Sequence, residues 1–469
     1  MSWFAVDLYT DGVSLYLALD HRKTERAFAM KKVIQLKDLR KTRLKSSLAS
    51  LSSESRLDED VKPYSAMPSP PAWPLLGHIP LLAKKENQER LDQMFHQLRL
   101  QLGDIYRLSV PGQGDMVVVF RPEDVRAMYA SDGRIPYQTA FEALELLRGR
   151  NRELYKSTGL LTNSEEWYEV RQAVQQDMMK PKSALFYISD IEEVAEELVD
   201  KVADTRNKDG DVVVNTMLNE YALDAVGVFA LGTRLGSLQE KGDGKKLMDL
   251  SVKIGNLIQF LIMCPAWSHP YLPQFRRLEK LSSENYVICK KHVDAALARV
   301  TLDDQTLIAK LARKCGKESP IIVTMGADSL AAGLDTTGSS GAFLLYHLAS
   351  NPEKQEKLYQ EICNTIGPHG KLTEATLGRM RYLKACQTES QRLLPASFGS
   401  SRLLQSDLVL GGFKVPAGSV VIRVGTSMSR DPANFSEPDE FVPERWVRGD
   451  ARRHTADSFS NLPFGHGAR

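Results

Sequence analysis

The chain has 469 residues, of which 42% are hydrophobic and 26% are charged. These values are typical of a globular protein with a sizeable core, and they exclude wholesale disorder and collagen-like sequence. The 61 basic and 59 acidic side chains nearly cancel, so the composition predicts no nucleic-acid partner.

The cysteines are too few and too scattered to predict a disulfide framework. They form no CxxC pair and no spacing that is typical of zinc ligands. We interpret them as reduced thiols in an intracellular compartment. They are Cys264, Cys289, Cys315, Cys363 and Cys386.

A basic, hydroxyl-rich stretch near the N-terminus has the composition of a leader. Residues 21–46 carry ten Lys and Arg against two acids, and a Ser-rich stretch follows them. These features predict a mitochondrial presequence over 1–62, with a solvated tail as the alternative. Residues 1–29 are unlike a leader, so Met30 is a candidate for the true start. The N-terminus lacks the run of roughly 17–25 apolar residues that a spanning helix needs.

The body of the chain is predicted to be mainly helical, with small β-sheets. A Pro-rich segment at 63–80 predicts an extended hinge. Apolar residues at helical spacing predict a helix over 91–102. Two apolar runs, 105–110 and 116–120, flank the sequence PGQGD and predict a β-hairpin.

The remaining predicted elements follow in chain order. Helices are expected from Pro122, from a capping box of Thr162 and Glu165, along an apolar stripe at 188–202, from Pro320 towards Leu348, and on both sides of Gly367–Gly370. Short strands are expected at 408–410 and 419–424.

One apolar stretch, residues 254–275, contains no Asp, Glu, Lys or Arg. Pro265, Pro270 and Pro273 interrupt it, so only residues 254–264 are expected to be helical. A surface loop that dips into a membrane interface and a buried core segment are both compatible with this composition.

Three short motifs in the second half of the chain carry candidate chemistry. The predicted long helix contains AGLDTT, in which Asp335 and Thr336 could relay protons, although a Gly/Thr packing notch explains the same residues. Glu389 and Arg392 stand three apart, as in a surface ion pair, and Arg445 follows in FVPERW. The chain closes with PFGHGAR, whose glycines suit a tight loop.

In this order and at these intervals, the motifs resemble the cytochrome P-450 superfamily of haem-thiolate monooxygenases. The resemblance includes the Pro-rich segment PSPPAWPLLGH and the helix WYEVR, which runs from Trp167 to Arg171. It implies the cytochrome P-450 fold, a single large catalytic domain over 81–469 that lacks its C-terminal end.

The resemblance implies haem b (iron protoporphyrin IX) as the cofactor. Its contacts would come from Trp167, Arg171, Arg402, Phe464 and Arg469. The three arginines would pair with the haem propionates, because guanidinium groups suit carboxylates.

The resemblance also implies the roles of the other motif residues. Glu389, Arg392 and Arg445 would form a buried charged triad on the proximal side, where charges persist only if they are paired. Asp335 and Thr336 would deliver protons to dioxygen during cleavage of the O–O bond. A cysteine thiolate on the opposite side of the iron would push electron density towards the same bond.

In the family, that cysteine lies two positions after the arginine that matches Arg469. The sequence ends at Arg469, and none of the five cysteines stands in a glycine loop. The expectation is therefore that the axial cysteine lies beyond the chain end, with no metal ligand among these residues. A non-catalytic lipid-binding pseudoenzyme and a non-functional fragment are the alternatives.

The basic leader and the runs DGRIPYQ and SRDPANFSEPDEFVPERW resemble the mitochondrial branch of the superfamily. Members of that branch receive electrons from an adrenodoxin-like ferredoxin, itself reduced by a reductase, which docks on basic residues of the ExxR helix. Lys384 matches one of these positions and Arg381 could assist, whereas Thr388 stands where relatives often carry a second cation. For Lys384, a solvated helix face is the alternative.

The expected function is a monooxygenase on the matrix side of the mitochondrial inner membrane, with peripheral membrane contact. It would hydroxylate a lipophilic, sterol- or steroid-like substrate with dioxygen and ferredoxin-delivered electrons. The apolar segment 254–264 would shape the substrate entrance. Phe141 and Leu144 are candidates for pocket lining, with core packing as the alternative for both.

Overall fold

A computed structural model describes residues 61–112, 114–206, 212–262, 264–367, 370–454 and 457–467, without the side chains of 181 and 182. The predicted presequence up to residue 60, including Met30, lies outside these ranges, and so does Arg469.

The described residues are mainly helical, as the sequence predicts. The α-helices are α1 (Ile79–Leu82), α2 (Lys85–Glu89), α3 (Leu91–Leu102), α4 (Pro122–Ala130), α5 (Glu142–Arg150), α6 (Glu165–Met178), α7 (Pro181–Leu185), α8 (Ile188–Asp204), α9 (Val214–Leu231), α10 (Gly244–Ile262), α11 (Pro273–Arg299), α12 (Leu307–Cys315), α13 (Pro320–Ser350), α14 (Pro352–Ile366), α15 (Glu374–Arg379), α16 (Arg381–Leu393) and α17 (Gly425–Ser429). Short 3-10 helices lie at Tyr64–Ala66, Thr139–Phe141, Ala266–Tyr271, Pro443–Trp446 and Ser458–Ser460.

The strands form two small sheets. They are β1 (Ile105–Val110), β2 (Gly114–Val119), β3 (Gly399–Leu403), β4 (Leu408–Leu410), β5 (Phe413–Val415) and β6 (Val420–Val424). The larger sheet has the order β1-β2-β6-β3, in which β2 and β6 are parallel and the other pairs are antiparallel. The predicted hairpin is confirmed, with its second strand starting two residues earlier, at Gly114.

The described residues divide into two compact units. The first, unit 1, holds residues 140–398 and 429–454, and the second, unit 2, holds residues 61–139, 399–428 and 457–467. Both sheets belong to unit 2, and the helices from α5 to α16 belong to unit 1.

Helix α13 is the central element of unit 1, and its glycines allow α9 to pack closely. A Cβ atom at Gly333 would lie 2.6 Å from a methyl carbon of Val226 on α9, and one at Gly338 would overlap the Asn219 side chain. The α-helical assignment is continuous from Pro320 to Ser350. The packing notch therefore accounts for the interior glycine of AGLDTT, without a local opening of the helix.

The predicted capping box at Thr162 and Glu165 is wrong. Helix α6 begins at Glu165, and its N-cap is Ser164, whose hydroxyl accepts a hydrogen bond from the Trp167 backbone N–H at 3.3 Å. The Thr162 hydroxyl instead donates to the Gly159 carbonyl at 3.2 Å, within the preceding loop. Ser164 is one residue before the helix, where its oxygen can reach the free backbone donors of the first turn.

The Pro-rich segment 63–80 hydrogen bonds to other parts of unit 2. The Arg107 backbone N–H donates to the Pro68 carbonyl at 2.9 Å. The buried His78 accepts from the Ser109 backbone N–H through Nδ1, at 2.8 Å, so its Nε2 is the atom that donates to the Pro70 carbonyl, at 2.9 Å. The domain boundaries at residues 62 and 80 stay predictions.

The apolar stretch 254–275 divides into a helix and an irregular part. Helix α10 ends at Ile262 but begins ten residues earlier than the sequence predicts, at Gly244. Within the stretch, Leu261 is fully buried, whereas the side chains of Trp267 and Tyr271 are exposed. No helix in the described ranges is both long enough and apolar enough to cross a bilayer.

Candidate functional site

The Glu389 carboxylate on α16 accepts five hydrogen bonds from described residues. It is fully buried and accepts hydrogen bonds from two arginines. Arg392 donates through Nε at 3.0 Å and through Nη2 at 2.8 Å, and Arg445 donates through Nε at 3.2 Å. The backbone N–H of Val442 donates to it at 3.0 Å and the indole N–H of Trp446 at 2.8 Å. The structure thus brings together the three residues that the resemblance assigns to a charged triad.

The remaining donors of the two arginines hold the loop that precedes the PERW turn. Nη1 of Arg392 donates to the carbonyls of Ser429 and Pro438, at 2.7 and 2.6 Å. Nη2 of Arg445 donates to the Glu437 carbonyl at 2.7 Å. Each guanidinium therefore joins the Glu389 carboxylate to backbone carbonyls, and a buried charge requires such hydrogen-bond partners.

Sequence reasoning missed a second buried carboxylate, Glu444 of the PERW turn. It accepts hydrogen bonds from Lys357 Nζ at 2.9 Å, from the Tyr382 hydroxyl at 3.0 Å and from Lys354 Nζ at 3.3 Å. Burial opposes its charge, but the hydrogen bonds from Lys357 and Tyr382 hold the pKa of Glu444 at about 2. This carboxylate ties α14 to the same turn that Glu389 holds.

On α6, Trp167 and Arg171 lie one turn apart. Trp167 is 2% exposed, and Arg171 is partly buried with an Nε atom that has no hydrogen-bond partner among the described residues. Burial lowers the pKa of Arg171. A buried guanidinium nitrogen without an acceptor is costly unless an anion binds there.

The two residues assigned to proton delivery lie in the interior of α13. Asp335 and Thr336 are partly buried, and the next residue, Thr337, is exposed. The Thr336 hydroxyl donates to the Ala332 carbonyl at 2.7 Å, one turn back along the helix. This bond fixes the hydroxyl proton and leaves the lone pairs of the oxygen able to accept a hydrogen bond.

In unit 2, Arg402 on β3 is buried and already paired. Its Nε donates to both carboxylate oxygens of Asp132, at 2.9 and 3.0 Å, and its guanidinium stacks over the Tyr129 ring at 4.8 Å. Asp132 was not predicted as the partner of Arg402, because 270 positions separate the two residues.

A second buried arginine in unit 2, Arg423 on β6, was also missed. It donates to the Leu462 carbonyl at 3.0 Å, and burial lowers its pKa. Its register partner on β3 is Ser400, so Arg423 projects from the same face of the sheet as Ser400 and Arg402. The available signal was a single charged residue inside the apolar strand VVIRV.

The closing glycine loop has the backbone that its sequence predicts. Gly465 and Gly467 have φ values of +69° and +90°, in the region that favours glycine. Phe464 is 56% exposed. None of the five cysteines lies in the described part of this loop, 463–467.

The two residues assigned to partner docking, Arg381 and Lys384, are exposed on one side of α16. The Thr388 hydroxyl donates to the Lys384 carbonyl at 2.8 Å and adds no charge there. Two backbone N–H groups at the start of α16, those of Tyr382 and Leu383, donate to the Glu361 carboxylate at 2.8 and 2.9 Å. This cap fixes the helix end that presents the cations.

Comparison with known proteins agrees with this arrangement of motifs and helices. The family model Cytochrome P-450 matches residues 67–469, so the chain belongs to the cytochrome P-450 family, whose members use a haem-iron cofactor. Similar proteins include the probable cytochrome P-450 49a1 of Drosophila melanogaster, 27% identical over 87% of this chain and 74% of that protein. Two others from the same organism are named as mitochondrial. Probable cytochrome P-450 12e1 is 28% identical over 88% of this chain and 83% of that protein. Cytochrome P-450 302a1 is 30% identical over 90% of this chain and 88% of that protein.

A substitution at Glu389 tests the importance of the buried triad. Glu389→Gln removes the negative charge and leaves two buried guanidinium groups without a carboxylate, so we expect a loss of about 3–5 kcal/mol in unfolding free energy. Urea unfolding followed by circular dichroism measures it. The matched control, Glu374→Gln in the first turn of α15, changes an exposed carboxylate and should cost less than about 0.5 kcal/mol. Equal effects of the two substitutions would show that the buried triad adds no more stability than an exposed carboxylate.

Proposed function

We propose that this protein is a haem b-dependent monooxygenase of the mitochondrial matrix side that hydroxylates a lipophilic, sterol- or steroid-like substrate. The observation that carries the proposal is Arg171, a partly buried arginine on α6 whose Nε has no acceptor among the described residues. A haem propionate is the anion that the family's cofactor offers such a group. The mitochondrial names of similar proteins support the location.

The residues present suit the cofactor. On α6, Arg171 would supply a guanidinium for a propionate, and Trp167 lies one turn away on the same helix. As the family resemblance implies, a cysteine thiolate would be the iron ligand. When bound, haem supplies the one-electron and dioxygen chemistry that amino-acid side chains lack.

The contribution of this chain to the reaction is proton delivery and orientation. Thr336 would accept a hydrogen bond from a donor near the reacting oxygen, because its own proton is held by the Ala332 carbonyl. The adjacent Asp335 would supply the proton as a general acid, a role that typically contributes 10²–10⁴-fold to a rate. Gly333 keeps α9 close to this part of the helix.

Haem binding by Arg171 can be tested without activity. Arg171→Leu removes the cation, and loss of a hydrogen bond to a charged group predicts haem affinity about 10–100-fold weaker. Arg171→Lys should restore part of it. Titration of apoprotein with haem, followed by Soret absorbance, measures the Kd. Arg276→Leu, an exposed site on α11, is the control. An unchanged Kd in Arg171→Leu would refute the role.

We also propose that an acidic ferredoxin of the adrenodoxin type, with its reductase, delivers the electrons at the side of α16 that carries Arg381 and Lys384. Both side chains are exposed, and the Glu361 cap fixes the helix end beneath them. Exposed cations steer a negatively charged partner, and such attraction falls as salt rises.

The docking proposal predicts a charge-dependent loss of ferredoxin binding. The double substitution Arg381→Glu with Lys384→Glu should weaken ferredoxin binding at least tenfold at low salt and flatten its salt dependence, measured by titration calorimetry. Lys253→Glu on α10 is an exposed charge reversal of the same kind and should leave the Kd within twofold. If the double substitution leaves both the Kd and the salt dependence unchanged, ferredoxin docks elsewhere.

A further inference from the structure

A buried ion pair joins α5 to α13 near the residues proposed for proton delivery. Nη2 of Arg148 lies 2.5 Å from one carboxylate oxygen of Asp328, and Nη1 lies 3.3 Å from the other. Arg148 is 7% exposed and Asp328 is 2% exposed. Although burial opposes its charge, the Asp328 carboxylate holds the pKa of Arg148 above its ordinary value. None of the sequence motifs includes either residue.

The pair also fastens the loop between α5 and α6. The backbone N–H groups of Leu160 and Leu161 donate to the Asp328 carboxylate, at 2.7 and 3.3 Å. Nη1 of Arg148 donates to the Thr158 carbonyl at 2.5 Å. The Asp328 carboxylate and the Arg148 guanidinium thus fasten α5 and the loop residues 158–161 to α13.

Gly159 permits this close approach. Its φ of +77° favours glycine, and a Cβ atom there would lie 2.8 Å from Nη1 of Arg148 and would overlap Asp328 and Thr324. Residue 159 must therefore lack a side chain for the loop to lie against the ion pair.

The position of Asp328 along α13 relates the pair to the proposed chemistry. Asp328 precedes Asp335 by seven residues, which is nearly two helical turns, so the two lie on the same side of α13 about 10 Å apart along its axis. Leu144 and Leu147 on α5 and Leu330 and Leu334 on α13, the two helices that the pair joins, belong to one apolar cluster. Both charges are satisfied internally, which leaves surroundings suited to a neutral, apolar ligand.

We propose that Arg148 and Asp328 are positioning residues that hold α5 and residues 158–161 against the Asp335 side of α13 and thereby select a neutral, lipophilic substrate. This role rests on the proposed function, because it concerns the substrate of that same reaction. Neither residue donates a proton or touches the reacting atoms. They act through the loop and the helix that they fasten, and separating them would expose two unpaired buried charges.

The first test measures loop opening and needs neither haem nor turnover. In Asp328→Asn the backbone amides of the loop lose a charged acceptor, so hydrogen exchange at Leu160 and Leu161 should accelerate at least tenfold. Exchange at the backbone amides of α9 should change little. Arg148→Lys, a milder variant, should give a smaller acceleration. The control is Arg150→Met, which breaks the exposed pair that the same helix makes with Glu279. Unchanged exchange in Asp328→Asn would overturn the proposal.

The second test separates positioning from plain stability. For a lipophilic steroid probe, Arg148→Lys should raise the Kd and the KM at least fivefold and leave kcat within about twofold.

The double variant Arg148→Met with Asp328→Leu removes both charges. Its loop 158–161 should still exchange rapidly, because the backbone N–H groups of Leu160 and Leu161 still lack an acceptor. Restored exchange protection and probe affinity in that double variant would show that packing holds the loop and would overturn the role of the ion pair. Faster exchange in Asp328→Asn with an unchanged probe Kd would overturn the substrate role. If the wild-type protein shows no turnover, the monooxygenase proposal fails while the exchange result still stands.

Discussion

One buried carboxylate, that of Glu389, supports the charged interior of unit 1. Its donors come from α16 and from the segment 442–446, and the same two arginines reach backbone carbonyls at 429, 437, 438 and 440. Because a carboxylate has roughly four lone-pair sites, it is saturated by these contacts. Removal of the acid would strand both cations, so α16 and the PERW turn depend on each other.

The sequence predicted the members of this network but not how deeply it is buried. The spacing of Glu389 and Arg392 is equally that of a surface ion pair, and the family resemblance alone implied burial. The structure shows both side chains fully buried. Partners far apart in sequence, such as Asp132 for Arg402 and Asp328 for Arg148, were missed because no local period links positions 270 or 180 apart.

Several of the described helices and strands were predicted because their patterns are local, whereas α5, α9, α11, α12, β3 and β5 were not. Pro122 and Pro320 begin helices, and the alternating runs around PGQGD form the hairpin. The predicted N-cap of α6 was wrong because Ser164 and Thr162 both carry hydroxyls. Only the path of the loop decides which hydroxyl reaches a free backbone N–H of the helix. The role of Gly333 depends on a neighbouring helix, which its own segment cannot reveal.

We propose that this fold carries a thiolate-ligated haem that activates dioxygen. The reduced, carbon monoxide-bound difference spectrum of protein purified with haem tests this ligation. We expect the strongly red-shifted Soret band of a thiolate-ligated iron. Protein that retains no haem, or haem whose carbon monoxide complex lacks that red shift, would contradict this proposal.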